Sequence, residues 1–166
     1  MATTRNLRDG QLQLKDGATP TPNALTLDLL EGNLTWSVKT NVITVLDRGT
    51  IDHQRAGDDS PMEISFSAKV VNLSDVTTPT LYDALHKYRS ASGWTSTETD
   101  SDLFHLNLNF TLDDPTDSSA GTDEHIAFGS VAVTSFDFSE GDEYSTVAVS
   151  LISKGTRPTF SVADLS

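Results

Sequence analysis

The sequence predicts a mainly β protein, an antiparallel β-sandwich or barrel of about seven or eight strands with one α-helix. Two stretches carry most of that expectation. Over 61–71, Met62, Ile64, Phe66, Ala68 and Val70 alternate with Glu63, Ser65, Ser67 and Lys69. Over 103–112, Phe104, Leu106, Leu108, Phe110 and Leu112 alternate with Leu103, His105, Asn107, Asn109 and Thr111. Successive side chains leave opposite sides of a pleated backbone, so period-two alternation marks a strand with one buried face and one wet face. The third observation is that a convincing helical stripe occurs once, where Leu81, Ala84, Leu85 and Tyr88 fall at i, i+3, i+4 and i+7.

The remaining elements follow in order. Residues 11–16 form a weak strand with Leu12 and Leu14 on one face, and Asp16-Gly17 closes it. Thr19-Pro20-Thr21-Pro22 is a stiff connector, since each proline fixes its own backbone and pushes the preceding residue to extended geometry. Leu25, Leu27 and Leu29 share one side of 24–30, and Leu34, Trp36 and Val38 resume the alternation after the turn Glu31-Gly32-Asn33. These two runs are expected to pair as a hairpin. The polar run 39–60 then reads as a structureless loop, and a loop of that length inside a compact domain implies function or disorder. A helix is expected over 78–89, with Thr78 as its cap, Pro79 at the first helical position, and Lys87 and Arg89 at the end that favours cations. Residues 125–138 form a long strand with a bulge near Gly129, 144–152 another, and 156–162 a short last one that Pro158 marks as an edge. The strands 103–112, 125–138 and 144–152 carry no Lys and no internal Pro. Such residues normally block exposed edges, so these edges are expected to lie under the helix or against neighbouring copies.

A chain of 166 residues is most simply one domain, 1–166, able to bury roughly 70% of the surface its unfolded form exposes. It has no cysteine, which excludes disulfides and thiolate chemistry. Residues 1–10 hold no apolar block; they read as a flexible arm, and no secretory signal is expected. No window reaches 18 apolar residues, so no transmembrane helix is expected. The net charge is −13, and 90–153 holds twelve carboxylates with no Lys or Arg. A surface like that repels phosphate and argues against conventional nucleic-acid binding. It is either a solvated acidic surface that keeps the chain soluble or one that faces nucleic acid without gripping it.

No catalytic pattern is present: no Gly-x-Ser-x-Gly, His-Glu-x-x-His, P-loop or dinucleotide fingerprint. The histidines at 53, 86, 105 and 125 lack metal-ligand spacing, and His105 reads as a surface residue on the wet face of its strand. Asp52-His53 lacks a nucleophile in context. No catalytic residue, metal or cofactor is therefore expected. The acidic loop 113–124 offers the oxygen ligands and glycine that calcium takes, without EF-hand spacing; a solvated turn is the alternative.

The stretch 34–71 resembles the major tail tube proteins of long-tailed, siphovirus-like bacteriophages. The likeness lies in Asn33-Leu34-Thr35-Trp36-Ser37-Val38, in Val45-Leu46-Asp47-Arg48-Gly49-Thr50-Ile51-Asp52-His53-Gln54-Arg55-Ala56-Gly57-Asp58-Asp59, in Pro61-Met62-Glu63-Ile64-Ser65-Phe66-Ser67, and in the position of the helix bearing Thr80-Leu81-Tyr82-Asp83-Ala84-Leu85. The resemblance implies a structural virion protein and no enzyme. Such proteins form rings, usually of six, which stack into a hollow tube that conducts the genome into the host. Each subunit adds strands to a continuous barrel around the lumen. The resemblance makes 39–60 the loop that reaches an adjacent ring, with Asp47, Arg48, Asp52, Arg55, Asp58 and Asp59 as inter-subunit contacts. It makes Glu63, Ser65, Ser67, His105, Asn107 and Asn109 candidates for the lumen wall. It also implies tape-measure, tail-terminator and baseplate or tip proteins as partners, DNA that passes without specific binding, no membrane binding, synthesis in the host cytoplasm, and a place in the virion tail.

Opposite charges at a subunit seam set register and reject wrong partners more than they add affinity. A wall carboxylate about 4 Å from a phosphate repels it by about 1 kcal/mol in water, and screening limits the reach to ~8 Å. That prevents sticking without blocking passage. Lys69 shares the polar face with Glu63, so this wall is not purely acidic. The runner-up is a β-sandwich binding module for carbohydrate or protein, with Trp36 and Trp94 as stacking residues, although Trp36 reads as core and Trp94 as a cover over the helix end. A tail terminator or a capsid-decorating protein follows, and a hydrolase comes last.

Overall fold

A computed structural model of the chain describes residues 10–28, 34–70, 72–112, 124–141 and 143–161. The strands are β1 (Gly10–Lys15), β2 (Ala24–Asp28), β3 (Thr35–Ser37), β4 (Val42–Asp47), β5 (Thr50–Ala56), β6 (Met62–Val70), β7 (Leu106–Leu112), β8 (Glu124–Ser139), β9 (Ser145–Ser153) and β10 (Thr159–Ser161). Among the described residues the single α-helix, α1 (Leu81–His86), lies between β6 and β7 and is followed by a 3-10 turn, Arg89–Ala91. Eight strands form one antiparallel sheet in the order β2-β1-β7-β8-β9-β6-β3, with β10 also paired to β8, while β4 and β5 form a separate two-stranded sheet. The large sheet rolls on itself, because β2 and β6 touch although they stand far apart in strand order.

The core is the inside of that roll. Leu12 and Leu14 of β1, Met62, Ile64, Phe66 and Ala68 of β6, Leu106, Leu108 and Phe110 of β7, and Val147, Val149 and Leu151 of β9 all point inward. Leu81, Ala84 and Leu85 of α1 and Trp94 close it. Each large apolar side chain fully buried this way contributes about 1.5–3 kcal/mol.

The expected helix is shorter at both ends. Thr80, not Thr78, is the N-cap: its hydroxyl accepts from the Asp83 N–H at 3.3 Å and donates to the Leu73 carbonyl at 2.8 Å. Pro79 therefore lies outside the helix. Lys87 ends α1 in the left-handed region, at φ 52°. Asp83 is buried and fixes the loop before the helix, accepting from Ser74 Oγ at 2.8 Å, the Asp75 N–H at 3.0 Å and Ser90 Oγ at 3.2 Å.

The bulge expected near Gly129 is present. Leu106 pairs with Val131 and Leu108 with Phe128, so β8 spends an extra residue there, and Ser130 takes φ 49°. The backbone groups that the bulge frees find partners. Gly129 O accepts from Ser153 Oγ at 2.7 Å, Ser130 N–H donates to Asn107 Oδ1 at 3.2 Å, and Ser130 O accepts from the Lys154 N–H at 3.1 Å.

Three expectations are corrected by the strand order. The second and third runs do not form a hairpin together: β2 pairs with β1, and β3 lies on the edge of β6. Asp16, at the end of β1, binds both the backbone and the side chain of Asn23, which turns the chain back onto β1. Trp36, consequently on an edge strand, is 39% exposed rather than core, with its ring edge-on to Phe128 and tilted against Phe160, each at 6.2 Å. The lysine-free strands β7, β8 and β9 are adjacent in the middle of the sheet, so their lack of blockers reflects interior position and carries no message about oligomers.

Candidate functional site

The run 39–60 is not a structureless loop. Its centre is the β4–β5 hairpin, turned by Asp47-Arg48-Gly49-Thr50 with φ 49° at Arg48 and 84° at Gly49. Positive φ at both central residues is the geometry whose twist matches that of the flanking strands, and Gly49 adopts it without steric cost. A register shift after Val45 brings Leu46 opposite Ile51. One face of the ribbon then carries Val42, Thr44, Leu46, Ile51, Gln54 and Ala56, and the other carries Ile43, Val45, His53 and Arg55. Every residue of β4 and β5 except the half-buried Val45 is exposed, Leu46 to 61% and Ile51 to 60%.

The six proposed contact residues all sit on this element. Asp47 and Arg48 form the tip, Asp52 and Arg55 lie along β5, and Asp58 and Asp59 are at the base. Asp52 Oδ2 meets His53 Nδ1 at 2.7 Å. Among the described residues, no carboxylate lies in ion-pair range of Arg48 or Arg55. At the base, the Gly57 N–H donates to Asn41 O at 2.8 Å, and a cavity of about 160 Å³ opens between Lys39, Asp58, Asp59 and Arg157. The charges stood out in the sequence; the apolar residues between them did not, although Asp47-Arg48-Gly49 flanked by Val45-Leu46 and Ile51 is a readable hairpin signal.

The candidate wall residues divide. Glu63, Ser65 and Ser67 on β6 and Asn107 and Asn109 on β7 occupy the same outer face of the sheet. His105 does not join them. It precedes β7, is only 6% exposed, and its Nδ1 lies 2.9 Å from the Leu103 carbonyl, so the surface reading of His105 is corrected. On the outer face, Lys39 Nζ meets Glu63 Oε1 at 2.7 Å, Thr35 Oγ1 lies 2.7 Å from Ser65 Oγ, and Lys69 Nζ stands 4.2 Å from the centre of the Tyr144 ring. The outward strand positions of β6, β8 and β9 are otherwise mostly Ser, Thr and Ala, with Asp137 as the further carboxylate. The face is thus polar and sparsely charged.

Elsewhere the acids serve as struts. Burial pushes the Asp16 carboxyl up, but bonds from the Asn23 side chain and from the Thr95, Ala18 and Asn23 N–H groups overcome this and hold it below its ordinary value. Asp83 behaves likewise: burial raises it, and its bonds from the Asp75 N–H, Ser74 Oγ and Ser90 Oγ lower it further than burial lifts it. Glu98 is lowered by its bonds from Lys154 and Ser130, both at 2.6 Å. Among the described residues no three His, Cys, Asp or Glu side chains are grouped to hold a metal, and no helix is long and apolar enough to cross a membrane. The acidic loop 113–124, apart from Glu124, lies outside the described residues, as does 1–9 of the N-terminal arm.

No family model and no curated protein sequence matches the chain. Solved structures do. A chain from the tube-terminating cap of the anti-feeding prophage is similar at TM-score 0.61 and 9% identity, over 98% of this chain and 94% of that one. A chain from the sheath–tube complex of the extracellular contractile injection system PVC gives 0.57 and 9%, over 92% and 88%. A chain from the anti-feeding prophage baseplate gives 0.56 and 8%, over 99% and 100%. At such identities the likeness concerns the fold alone, and it extends over nearly the whole length of each chain.

Proposed function

We propose that this chain is the structural subunit of a phage-type tail tube. Copies form rings, six to a ring, and the rings stack into a hollow tube in the tail of a long-tailed bacteriophage, through which DNA passes to the host. The observation that carries this is the β4–β5 hairpin. An isolated two-stranded ribbon is marginally stable in water, and this one exposes Val42, Ile43, Leu46 and Ile51. A hairpin of that kind is completed by a partner. The full-length likeness to chains of tube, cap and baseplate assemblies supports the tube class, and the sequence resemblance over 34–71 supports a virion tail.

In this reading the hairpin reaches the adjacent ring, with Asp47, Arg48, Asp52, Arg55, Asp58 and Asp59 setting register at the seam. The outer sheet face with Glu63, Ser65, Ser67, Asn107 and Asn109 lines the lumen. Its sparse charge suits conduction, since a basic wall would hold DNA through many phosphate contacts. Tape-measure, terminator and baseplate proteins are the further partners, and no chemistry is performed on the cargo. Likeness to a tube-terminating cap favours a second reading, a terminator that makes one ring and does not stack. Electron microscopy of the concentrated protein separates them: stacked rings are expected, single rings assign the terminator role, and a lone particle even with tail-initiating components present overturns both.

A further inference from the structure

The surplus negative charge of this chain is kept off one face. The 24 Asp and Glu outnumber the 11 Lys and Arg, for a net −13. Among the described residues, the outward positions of β6, β9, β8 and β7 hold two carboxylates, Glu63 and Asp137. Ser, Thr, Ala and Asn take most of the others. Two lysines accompany the two acids. Lys39, from the segment between β3 and β4, brings its Nζ to 2.7 Å from Glu63 Oε1. Lys69, on the outward side of β6, has no carboxylate in ion-pair range among the described residues. Its Nζ stands 4.2 Å from the centre of the Tyr144 ring, a cation–π contact that holds the ammonium in place without cancelling its charge. That charge is left to balance Asp137. In the register Asp137 lies beside Ala148 and Ala148 beside Ser67, two positions before Lys69 on the same strand.

Resting on the reading of this face as the lumen wall, we infer that Lys39 and Lys69 are the counterions that set the wall's charge to zero, so that the tube admits its cargo by width and not by sign of charge. Two carboxylates and two ammonium groups cancel on the face, while the chain as a whole is strongly acidic. The acids elsewhere on the subunit do not undo this, because screening limits their reach to ~8 Å at physiological ionic strength. Without the two lysines every subunit would add two uncompensated carboxylates to the wall, and every ring would multiply them. The wall would then repel a polyanion and retain polycations. With them, a passing phosphate chain meets hydroxyls, amides and methyls that neither grip nor reject it.

The chain has no cysteine, so Ala148→Cys, at an exposed position between Asp137 and Ser67, gives a single thiol on this face. Its rates of reaction with a cationic and an anionic methanethiosulfonate are compared in assembled protein, each scaled to that of a small free thiol. At about 0.01 M salt, where the screening length is about 30 Å, the two scaled rates are expected to agree within about threefold, since charges of both signs flank the thiol. Adding Lys39→Gln and Lys69→Gln is expected to raise the preference for the cationic reagent by about fivefold, the effect of one unit charge about 8 Å away in water on two reagents of opposite sign. At about 1 M salt, with screening shortened to about 3 Å, that rise is expected to vanish. Asp137→Asn with both lysines kept is expected to shift the preference by a similar factor toward the anionic reagent. No shift in either variant, or a cationic preference above about tenfold with both lysines present, overturns the inference while the tube reading stands. A maleimide on a bulky polymer tests the reading beneath it: labelling of Ala148→Cys is expected in the dispersed chain and not in tubes. Equal labelling in both puts this face outside the lumen and overturns that reading, and a chain that never assembles overturns the tube itself.

Discussion

Removing the Asp16 carboxylate should cost the fold several kilocalories. Its side chain is 2% exposed. Oδ1 accepts from the Ala18 N–H at 3.2 Å and the Asn23 N–H at 2.7 Å; Oδ2 accepts from Asn23 Nδ2 at 2.8 Å and the Thr95 N–H at 3.0 Å. One side chain thereby ties the β1–β2 connection to the segment that leads into β7. Bonds to a charged acceptor reach about 1.5–3 kcal/mol, but Asn23 and Thr95 are exposed residues whose N–H groups can take water instead. At about 1 kcal/mol net per bond, Asp16→Ala should cost about 3–4 kcal/mol, a large part of the ~5–15 kcal/mol typical of a domain. With a urea slope of about 2 kcal/mol/M, the midpoint should fall by about 1.5–2 M. The pH dependence checks the cause. The folded carboxyl titrates below its ordinary value, so its stabilisation is complete above the unfolded pKa of about 3.9 and is lost as pH falls through the lower folded one. The gap between wild type and Asp16→Ala should be full at neutral pH and close only below about pH 4. A midpoint shift under about 0.5 M, or a gap already closed at about pH 5.5, refutes the strut.

Three further outcomes are expected. Gly17→Ala places a methyl 2.5 Å from the Ser96 carbonyl oxygen, a backbone atom that cannot swing aside, and should lower stability by about 1–3 kcal/mol in the same melt. Asp83→Ala leaves Ser74 Oγ, the Asp75 N–H and Ser90 Oγ without their acceptor and should lower it by about 2–4 kcal/mol, with amide exchange rising first around α1. Arg48→Glu combined with Arg55→Glu should leave the monomer's melt within about 0.5 kcal/mol, because both lie on an exposed ribbon outside the core, while abolishing stacking by microscopy; unaltered filaments would remove these residues from the seam.

What the sequence disclosed depended on how strongly each segment's local pattern agreed with its tertiary place. The β6 and β7 alternations and the Gly129 bulge were legible because period-two burial and a glycine in a long strand are local signals. Pairing partners were not, since β3 joins β6 across 24 intervening residues and nothing in either strand names the other. Trp36 shows the consequence: its alternation with Leu34 and Val38 is real, but edge position leaves it half open. His105 fails for the opposite reason. Its place in an alternating run suggested a wet face, yet the strand starts one residue later and the ring turns to a backbone carbonyl instead. In the hairpin, charge concealed the apolar residues that matter more for burial, and at an isolated ribbon there is no core against which to read alternation.

The proposed stacking through the hairpin also bears on tube length. A contact that repeats identically from ring to ring adds the same free energy at every step, and a head-to-tail contact that does not close has no internal reason to stop. In the proposed stack every ring presents the same hairpin to the next one, after every addition. A subunit built this way cannot count. Filaments grown from the purified chain alone should therefore show a broad length distribution that shifts upward with concentration, measured on micrographs across a tenfold dilution series. A sharp length held constant across the series would mean that the chain limits its own stacking, and the reading of the hairpin as an identical contact from ring to ring would be wrong.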